Sequence, residues 1–409
     1  MTARHTARTP PPIPLSVLTG FLGAGKTTLL NRLLKAPPCP PPQAVDGRPI
    51  YAPSLTRESG DGINHDLAET HDLAETAVII NEFGEVGLDH LLVEHVDDGI
   101  VLLSTGCLCC TMRGDLIDAL ERLLRSLDNG RAVFSRVIIE TTGLADPAPV
   151  LHILMAHPYL VMRYRLDGIV TVVDALNGAG TLDAYPEAVK QVAVADRLVL
   201  TKADLMTSPH QRASLTALRA RLHALNPAAP VLDAAAGEAD AAHILNCGLY
   251  DPANKIPDVK RWLAAEAYAH SHHRHGHDHD PNRHDAHIRS FALTSPQAIS
   301  AGAFEMFMDL MRSLHGPNLL RVKGVVKLAE HPDQPVVVHA VQHITHPAAR
   351  LERWPDGDRS TRMVFIVRDI EPRVISELFN AFLGPVAPDR ADRAAIADNP
   401  LVPFGGVDR

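Results

Sequence analysis

The sequence predicts an α/β protein, in which a mostly parallel sheet covered by helices is followed by a smaller α+β domain. Three observations carry that expectation. Between residues 13 and 204, short apolar runs alternate with helical patterns, as they do in βα-repeating chains. Several runs, such as Val137-Ile138-Ile139, are apolar without alternation, which suits strands covered by helices on both faces. Beyond a polar, His-rich stretch, strand patterns and two helical patterns no longer alternate in that regular way.

Taken in order, residues 1–12 are a Pro- and Thr-rich tail. A first domain spans 13–262, with strands expected at 14–18, 77–81, 100–103, 136–140, 168–174 and 197–201 and helices at 28–34 and 115–127. Residues 36–76 interrupt it with a cluster of Pro37, Pro38, Pro40, Pro41 and Pro42 and a direct repeat, HDLAET at 65–70 and again at 71–76. This is expected as a surface insertion. Its repeated His-Asp pairs could touch a metal, although loop duplication is the plainer explanation. Residues 263–287 form a linker crowded with His270, His272, His273, His275, His277, His279, His284 and His287, a composition unable to bury a core. A second domain at 288–395 has strands expected at 288–294, 320–327, 335–343 and 362–369 and helices at 303–314 and 372–383, before a tail at 396–409.

Composition narrows the function. A chain of 409 residues with 46% hydrophobic and 21% charged residues belongs to soluble globular proteins. A net charge of −9 argues against a general nucleic-acid binder, which needs a basic face. No run of about 18 apolar residues predicts a membrane span, and the N-terminal residues lack the apolar core of a secretory signal. Three of the five cysteines are crowded together, a usage that fits metal chemistry in a reducing compartment. A cytoplasmic protein is expected, without nucleic-acid or membrane partners.

The run Gly20-Phe21-Leu22-Gly23-Ala24-Gly25-Lys26-Thr27 matches the phosphate-binding pattern G-x-x-x-x-G-K-[ST], with an apolar strand before it and a helix after it. Gly20, Gly23, Ala24 and Gly25 let backbone N–H groups curl toward phosphate oxygens, with Thr28 beside them. Lys26 is expected at the β- and γ-phosphates, and the Thr27 hydroxyl at Mg²⁺. Val137-Ile138-Ile139-Glu140-Thr141-Thr142-Gly143 supplies the second half: a strand delivers Glu140 to the Mg²⁺ and attacking water, and Gly143 lets the backbone approach the γ-phosphate. The turn Thr201-Lys202-Ala203-Asp204 ends another apolar strand. Asp204 can accept both guanine N1–H and N2–H₂, a donor pair adenine lacks, with the Lys202 stem along the base plane. GTP is therefore the expected nucleotide.

Cys107, Cys109 and Cys110 follow one expected strand and precede a helix. Three thiolates leave one tetrahedral position of a soft ion open, and the helix N-terminus and Arg113 favour the thiolate forms. Zn²⁺ or Cu⁺ suits such a site, and Co²⁺ is also compatible with it. A redox triplet and inert buried thiols are the competing explanations. Asn81-Glu82-Phe83-Gly84-Glu85 can bring Glu82 and Glu85 near both the Mg²⁺ and the thiols, or can be an ordinary strand-end turn. His272, His273, His275, His277 and His279 are auxiliary candidates that would gather metal loosely for the tighter site.

Together, GFLGAGKTTLLN at 20–31, NEFGEVGLD at 81–89, GCLCC at 106–110, ETTGLADP at 140–147 and TKAD at 201–204 resemble the CobW-type family of metallochaperone GTPases, relatives of the UreG and HypB nickel-insertion GTPases. RVKGVV at 321–326 and RWPDGDRSTRMVFIVRD at 353–369 resemble the family's C-terminal domain. The resemblance covers nearly the full chain. It implies a P-loop NTPase of the SIMIBI-type G-domain kind, GTP hydrolysis, and delivery of Zn²⁺ (or Co²⁺ in some members) from the cysteines to a client metalloprotein. A monomer or a metal- or nucleotide-dependent homodimer is compatible with it. The 36–76 insertion and the makeup of the His-rich linker depart from the family pattern. The rival functions are a metal-storage or buffering protein with vestigial hydrolysis, and a P-loop small-molecule kinase or ATPase.

Overall fold

A computed structural model describes residues 11–35, 73, 75–81, 102–105, 112–245, 287–342, 344–345 and 348–383 of the chain. The first domain is built on seven strands: β1 (Ile13–Gly20), β2 (Thr76–Asn81), β3 (Leu102–Thr105), β4 (Arg136–Glu140), β5 (Tyr164–Asp174), β6 (Arg197–Thr201) and β7 (Val231–Asp233). They lie in the order β3-β2-β4-β1-β5-β6-β7, and every pairing is parallel. All seven carboxyl ends therefore fall on one edge of the sheet, where loops of open α/β folds gather ligands.

Both faces are covered. Leu15 and Val17 of β1, Ala77 and Ile79 of β2, and Val137 and Ile139 of β4 share a core with α2 (Met112–Asp128) and α3 (Ala148–Ala156). Their neighbours Leu18, Val78 and Ile138 point into the opposite core, with α1 (Lys26–Lys35). A strand buried on both sides has no solvent face to carry polar residues, so its sequence reads as an unbroken apolar run. In α2, Leu116, Ala119, Leu120, Leu123 and Leu124 are buried, a three-and-four spacing that keeps them on one stripe. The remaining helices are α4 (Pro158–Arg163), α5 (Gly178–Ala184), α6 (Pro186–Val194), α7 (Pro209–Leu225) and α8 (Ala241–Ile244). α7 starts on a capping box: the Ser208 hydroxyl accepts from the Gln211 N–H, and the Gln211 side chain accepts from the Ser208 N–H.

Several boundaries differ from expectation. β4 and β6 match their expected spans, but β5 begins four residues earlier than 168 because Tyr164 and Arg165 pair with Ile13 and Pro14 ahead of a bulge. The expected strand at 100–103 is described as Leu102–Thr105, with 100 and 101 outside the described residues. β7 has no counterpart among the expected strands; three residues are too few for a pattern to show.

The second domain contains β8 (Ile288–Ser295), α9 (Ala301–His315), β9 (Leu319–Val326), β10 (Val336–Val341), β11 (Ile344–Thr345), β12 (Ala349–Arg350), β13 (Thr361–Arg368) and α10 (Pro372–Leu383). Its antiparallel sheet runs β11-β10-β9-β13-β8, with β12 beside β10. One face packs on α9 and α10 through Val322, Val338, Phe365, Phe307 and Phe379. The other meets the first domain: Leu320 and Ile366 cluster with Ala193 of α6, and Val341 and Ile344 enter the core of α2 and α3. Every residue of β9 is consequently buried.

A charge cluster lies in that junction. Asp196, between α6 and β6, accepts from both Arg321 and Lys323 of β9, and its second oxygen accepts from Ile169 N–H at 2.9 Å. Arg321 also donates to the Val194 carbonyl at the end of α6. Burial opposes ionisation of Asp196, but Arg321, Lys323 and His339 outweigh it and hold the carboxyl far below the usual carboxylate range. Burial, reinforced by Arg321, pushes the Lys323 ammonium down to about 8, against the pull of Asp196.

Candidate nucleotide site

The site is assembled from the carboxyl ends of β1, β4, β5 and β6. β1 ends at Gly20 with φ 140°, a left-handed backbone; a Cβ there would also drive into the Val172 carbonyl of β5. Only glycine allows the chain to leave the sheet in this direction. The loop then curls on itself, with Ala24 N–H donating to the Phe21 carbonyl at 3.2 Å, and α1 begins at Lys26. Lys26 is buried, and its ammonium crosses the loop to the Phe21 carbonyl at 3.3 Å. Thr28 lies exposed in the first turn of the same helix.

Thr27 and Glu140 meet. The Thr27 hydroxyl donates to Glu140 Oε1 at 2.8 Å, although the two residues are 113 positions apart. Glu140 is 4% exposed, at the end of a strand in register with Leu18 of β1. This pair of hard oxygen donors, beside a loop shaped for phosphates, fits Mg²⁺. Gly143 lies against the loop: a Cβ on it would stand 2.5 Å from Leu22 N and 2.7 Å from Leu22 Cα. Its lack of a side chain is therefore what allows the turn after Glu140 to pack on the phosphate loop.

Around β6, Thr201 donates its hydroxyl to the Ala24 carbonyl at 2.6 Å and abuts Gly25, so it anchors the phosphate loop. Lys202, at φ 59°, reaches the Gly23 carbonyl and Asp174 Oδ2, each at 2.8 Å. Asp204, on a short 3-10 turn (Ala203–Leu205), is exposed at the same edge. The Lys202 ammonium is thus held by two acceptors, with Asp204 exposed two residues further on.

Two further residues, Asp174 and Gln191, lie in the site without a motif to mark them. Burial opposes ionisation of Asp174, but hydrogen bonds from Lys202, Asn177 and the Leu176 N–H outweigh it and hold the carboxyl below its ordinary value. Its signal was the same as that of Glu140: an acidic residue closing an apolar strand, Val172-Val173-Asp174. Gln191 is buried in α6 and donates to the carbonyls of Gly143 and Ala145 at 3.2 and 3.0 Å. A lone amide among Val189, Val192 and Ala193 was the available clue.

The cysteine triplet Cys107, Cys109 and Cys110, together with Glu82, Glu85, His272, His273, His275, His277 and His279, lies outside the described residues. Among the described residues, no group of three or more His, Cys, Asp or Glu side chains could hold a metal. The structure does place the strands leading to the Glu82 and cysteine segments. Asn81 ends β2 opposite Thr105, which ends β3, and Ile80 is in register with Glu140.

Comparisons with known proteins follow the same outline. Residues 14–39 and 63–233 match the family described as CobW/HypB/UreG, nucleotide-binding domain, and residues 288–383 match the cobalamin synthesis protein cobW C-terminal domain. The skipped residues fall inside the expected 36–76 insertion. Zinc chaperone YjiA of Escherichia coli is 36% identical over 355 residues, spanning 87% of this chain and 94% of the relative. Zinc chaperone CobW of Pseudomonas aeruginosa is 28% identical over 406 residues, spanning 89% and 90%. The crystal structure of Zn(II)-bound YjiA GTPase from E. coli aligns with a TM-score of 0.59 at 25% identity, covering 91% of this chain and 99% of that one.

Proposed function

This chain belongs to the CobW/HypB/UreG family, and we propose from that premise that it is a GTP-hydrolysing metallochaperone. It binds zinc at Cys107, Cys109 and Cys110 and transfers it to a client metalloprotein. Relatives named zinc chaperones support the cargo. Nucleotide state sets the affinity of those thiolates for the metal, and the observation that carries this coupling is topological. β3, which ends at Thr105 directly before the cysteine segment, lies two strands from β4, which ends at Glu140. Adjacent strands are about 4.8 Å apart, so the chain enters the cysteine segment about 10 Å from the strand end that carries Glu140.

In this reading the Gly20–Thr27 loop holds the phosphates and Lys26 stabilises charge on the transferring phosphoryl group. Thr27 and Glu140 would hold Mg²⁺, which would supply positive charge to offset that of the phosphates. Glu140 also orients the water that attacks the γ-phosphorus; the β–γ bridging P–O bond breaks and GDP leaves. Co²⁺ is an alternative cargo for the same thiols, and the linker histidines gather metal for them. Action in the cytoplasm, as a monomer or a metal- or nucleotide-dependent homodimer, completes the proposal. Among the described residues no helix is long and apolar enough to cross a membrane.

Nucleotide choice tests the first half of this reading. Asp204→Ala should lower the preference for GTP over ATP on the order of a hundredfold, because the guanine donor pair is then left unmatched. The measurement is competitive displacement of a fluorescent GDP by GTP and by ATP. An unchanged ratio would remove Asp204 as the base reader and favour a P-loop kinase or ATPase.

A further inference from the structure

The turn that follows Glu140 is fastened from two directions. On one side, Thr141 N–H donates to the Leu18 carbonyl at 2.9 Å and its hydroxyl to that of Thr19 at 2.8 Å. On the other, Gln191 of α6 holds the carbonyls of Gly143 and Ala145, as described above. Asp146 collects the remaining restraints. Its Oδ1 accepts from Ala148 N–H at 3.0 Å at the start of α3, and its Oδ2 accepts from Lys190 at 3.0 Å and from Gln342 at 3.1 Å.

Gln342 belongs to the other domain. It sits at the tip of the β10–β11 hairpin with φ 53°, a left-handed conformation that costs a glutamine energy and persists only where its surroundings enforce it. The surroundings here are evident: the flanking Val341 and Ile344 are buried in the same core as Ala148 and Leu151 of α3. The hairpin tip is thus seated beside the turn, with its amide aimed at Asp146. A second link runs in parallel, since Arg321 of β9 holds the carbonyl end of α6, the helix that carries Lys190 and Gln191.

We propose that Gln342 is a positioning residue for GTP turnover: through Asp146 it holds the turn that packs Gly143 against the phosphate loop. The inference rests on the GTPase reading above. The phosphate loop itself makes no contact with Gln342 among the hydrogen bonds described, so loosening the turn affects turnover and leaves nucleotide affinity in place.

The test uses the full chain with Gln342→Ala, Gln342→Glu, and Gln342→Glu combined with Asp146→Asn. Gln342→Ala should lower kcat for GTP about fivefold, and Gln342→Glu, which sets a second carboxylate against Asp146, about tenfold or more. KM and GDP affinity should stay within about twofold. Adding Asp146→Asn removes the repulsion and should restore kcat to within about threefold of wild type, a rescue that general damage to the fold would not show. Amide hydrogen exchange at 141–146 should quicken in Gln342→Ala whether or not GTP is turned over. Unchanged exchange overturns the proposal, as does a Gln342→Glu loss without rescue or one shared equally by GDP affinity. A wild-type chain that fails to hydrolyse GTP refutes the GTPase reading instead, and the exchange measurement still decides whether Gln342 holds the turn.

Discussion

Lys26→Ala is expected to reduce GTP turnover by about a hundred- to a thousandfold, the scale lost when one preorganised donor to developing charge is removed. The geometry gives the reason. Lys26 is the first residue of α1, buried, with its ammonium already folded back across the phosphate loop to the Phe21 carbonyl. It needs little reorganisation to serve the β- and γ-phosphates, and its field acts where water is scarce. Nucleotide binding should suffer less, because the backbone of the Gly20–Gly25 curl and the Thr27–Glu140 pair remain. Phosphate release at saturating GTP, read beside GDP titration, separates the two effects. Equal losses in turnover and GDP affinity would mean that Lys26 supports binding alone.

The second large effect concerns the domain junction. Asp196→Ala should destabilise the protein by about 3–5 kcal/mol, since Arg321 and Lys323 would stay buried without their counter-charge. Replacing the trio together with Asp196→Leu, Arg321→Met and Lys323→Met should recover most of that loss, because apolar packing dispenses with the desolvation of all three charges. Acid behaviour follows from the same residue. A carboxyl whose folded pKa is depressed contributes stability above its unfolded pKa and loses it as pH falls toward the folded value. Wild type should therefore lose stability below about pH 4 more steeply than Asp196→Ala. Urea unfolding of the three proteins at neutral and acidic pH reads both effects. Parallel pH curves for wild type and Asp196→Ala would show that the buried cluster is not what acid attacks.

Much of the first domain was legible because a doubly covered parallel strand leaves a signature few other elements share. Arg136–Glu140 and Arg197–Thr201 show it: each is an apolar run of defined length, closed by a polar residue at the functional edge. The second domain was harder to place, and β9 shows why. Arg321 and Lys323 make Arg321-Val322-Lys323 look like a strand with one face in water, as befits a domain joined by a linker. Both side chains are in fact buried, because Asp196, some 125 residues earlier, meets them. Pattern alone does not reveal such a long-range pairing. Gln342 carried no signal at all: its position depends on Val341 and Ile344 being drawn into another domain's core. Gln191 and Asp174 left faint ones, as polar residues where the pattern asks for apolar ones. The cysteines, by contrast, were conspicuous in the sequence, and their role is argued from the strands that lead to them.

The central claim is that nucleotide state sets metal affinity at Cys107, Cys109 and Cys110. Zinc titration against a competing chelator, with the chain saturated first by a non-hydrolysable GTP analogue and then by GDP, measures it directly. Coupling between two such sites is typically worth about 5- to 150-fold, so the two zinc affinities should differ by about tenfold or more. Cys109→Ser should weaken both and remove the difference. Equal affinity in the two nucleotide states of the wild-type chain would contradict the account.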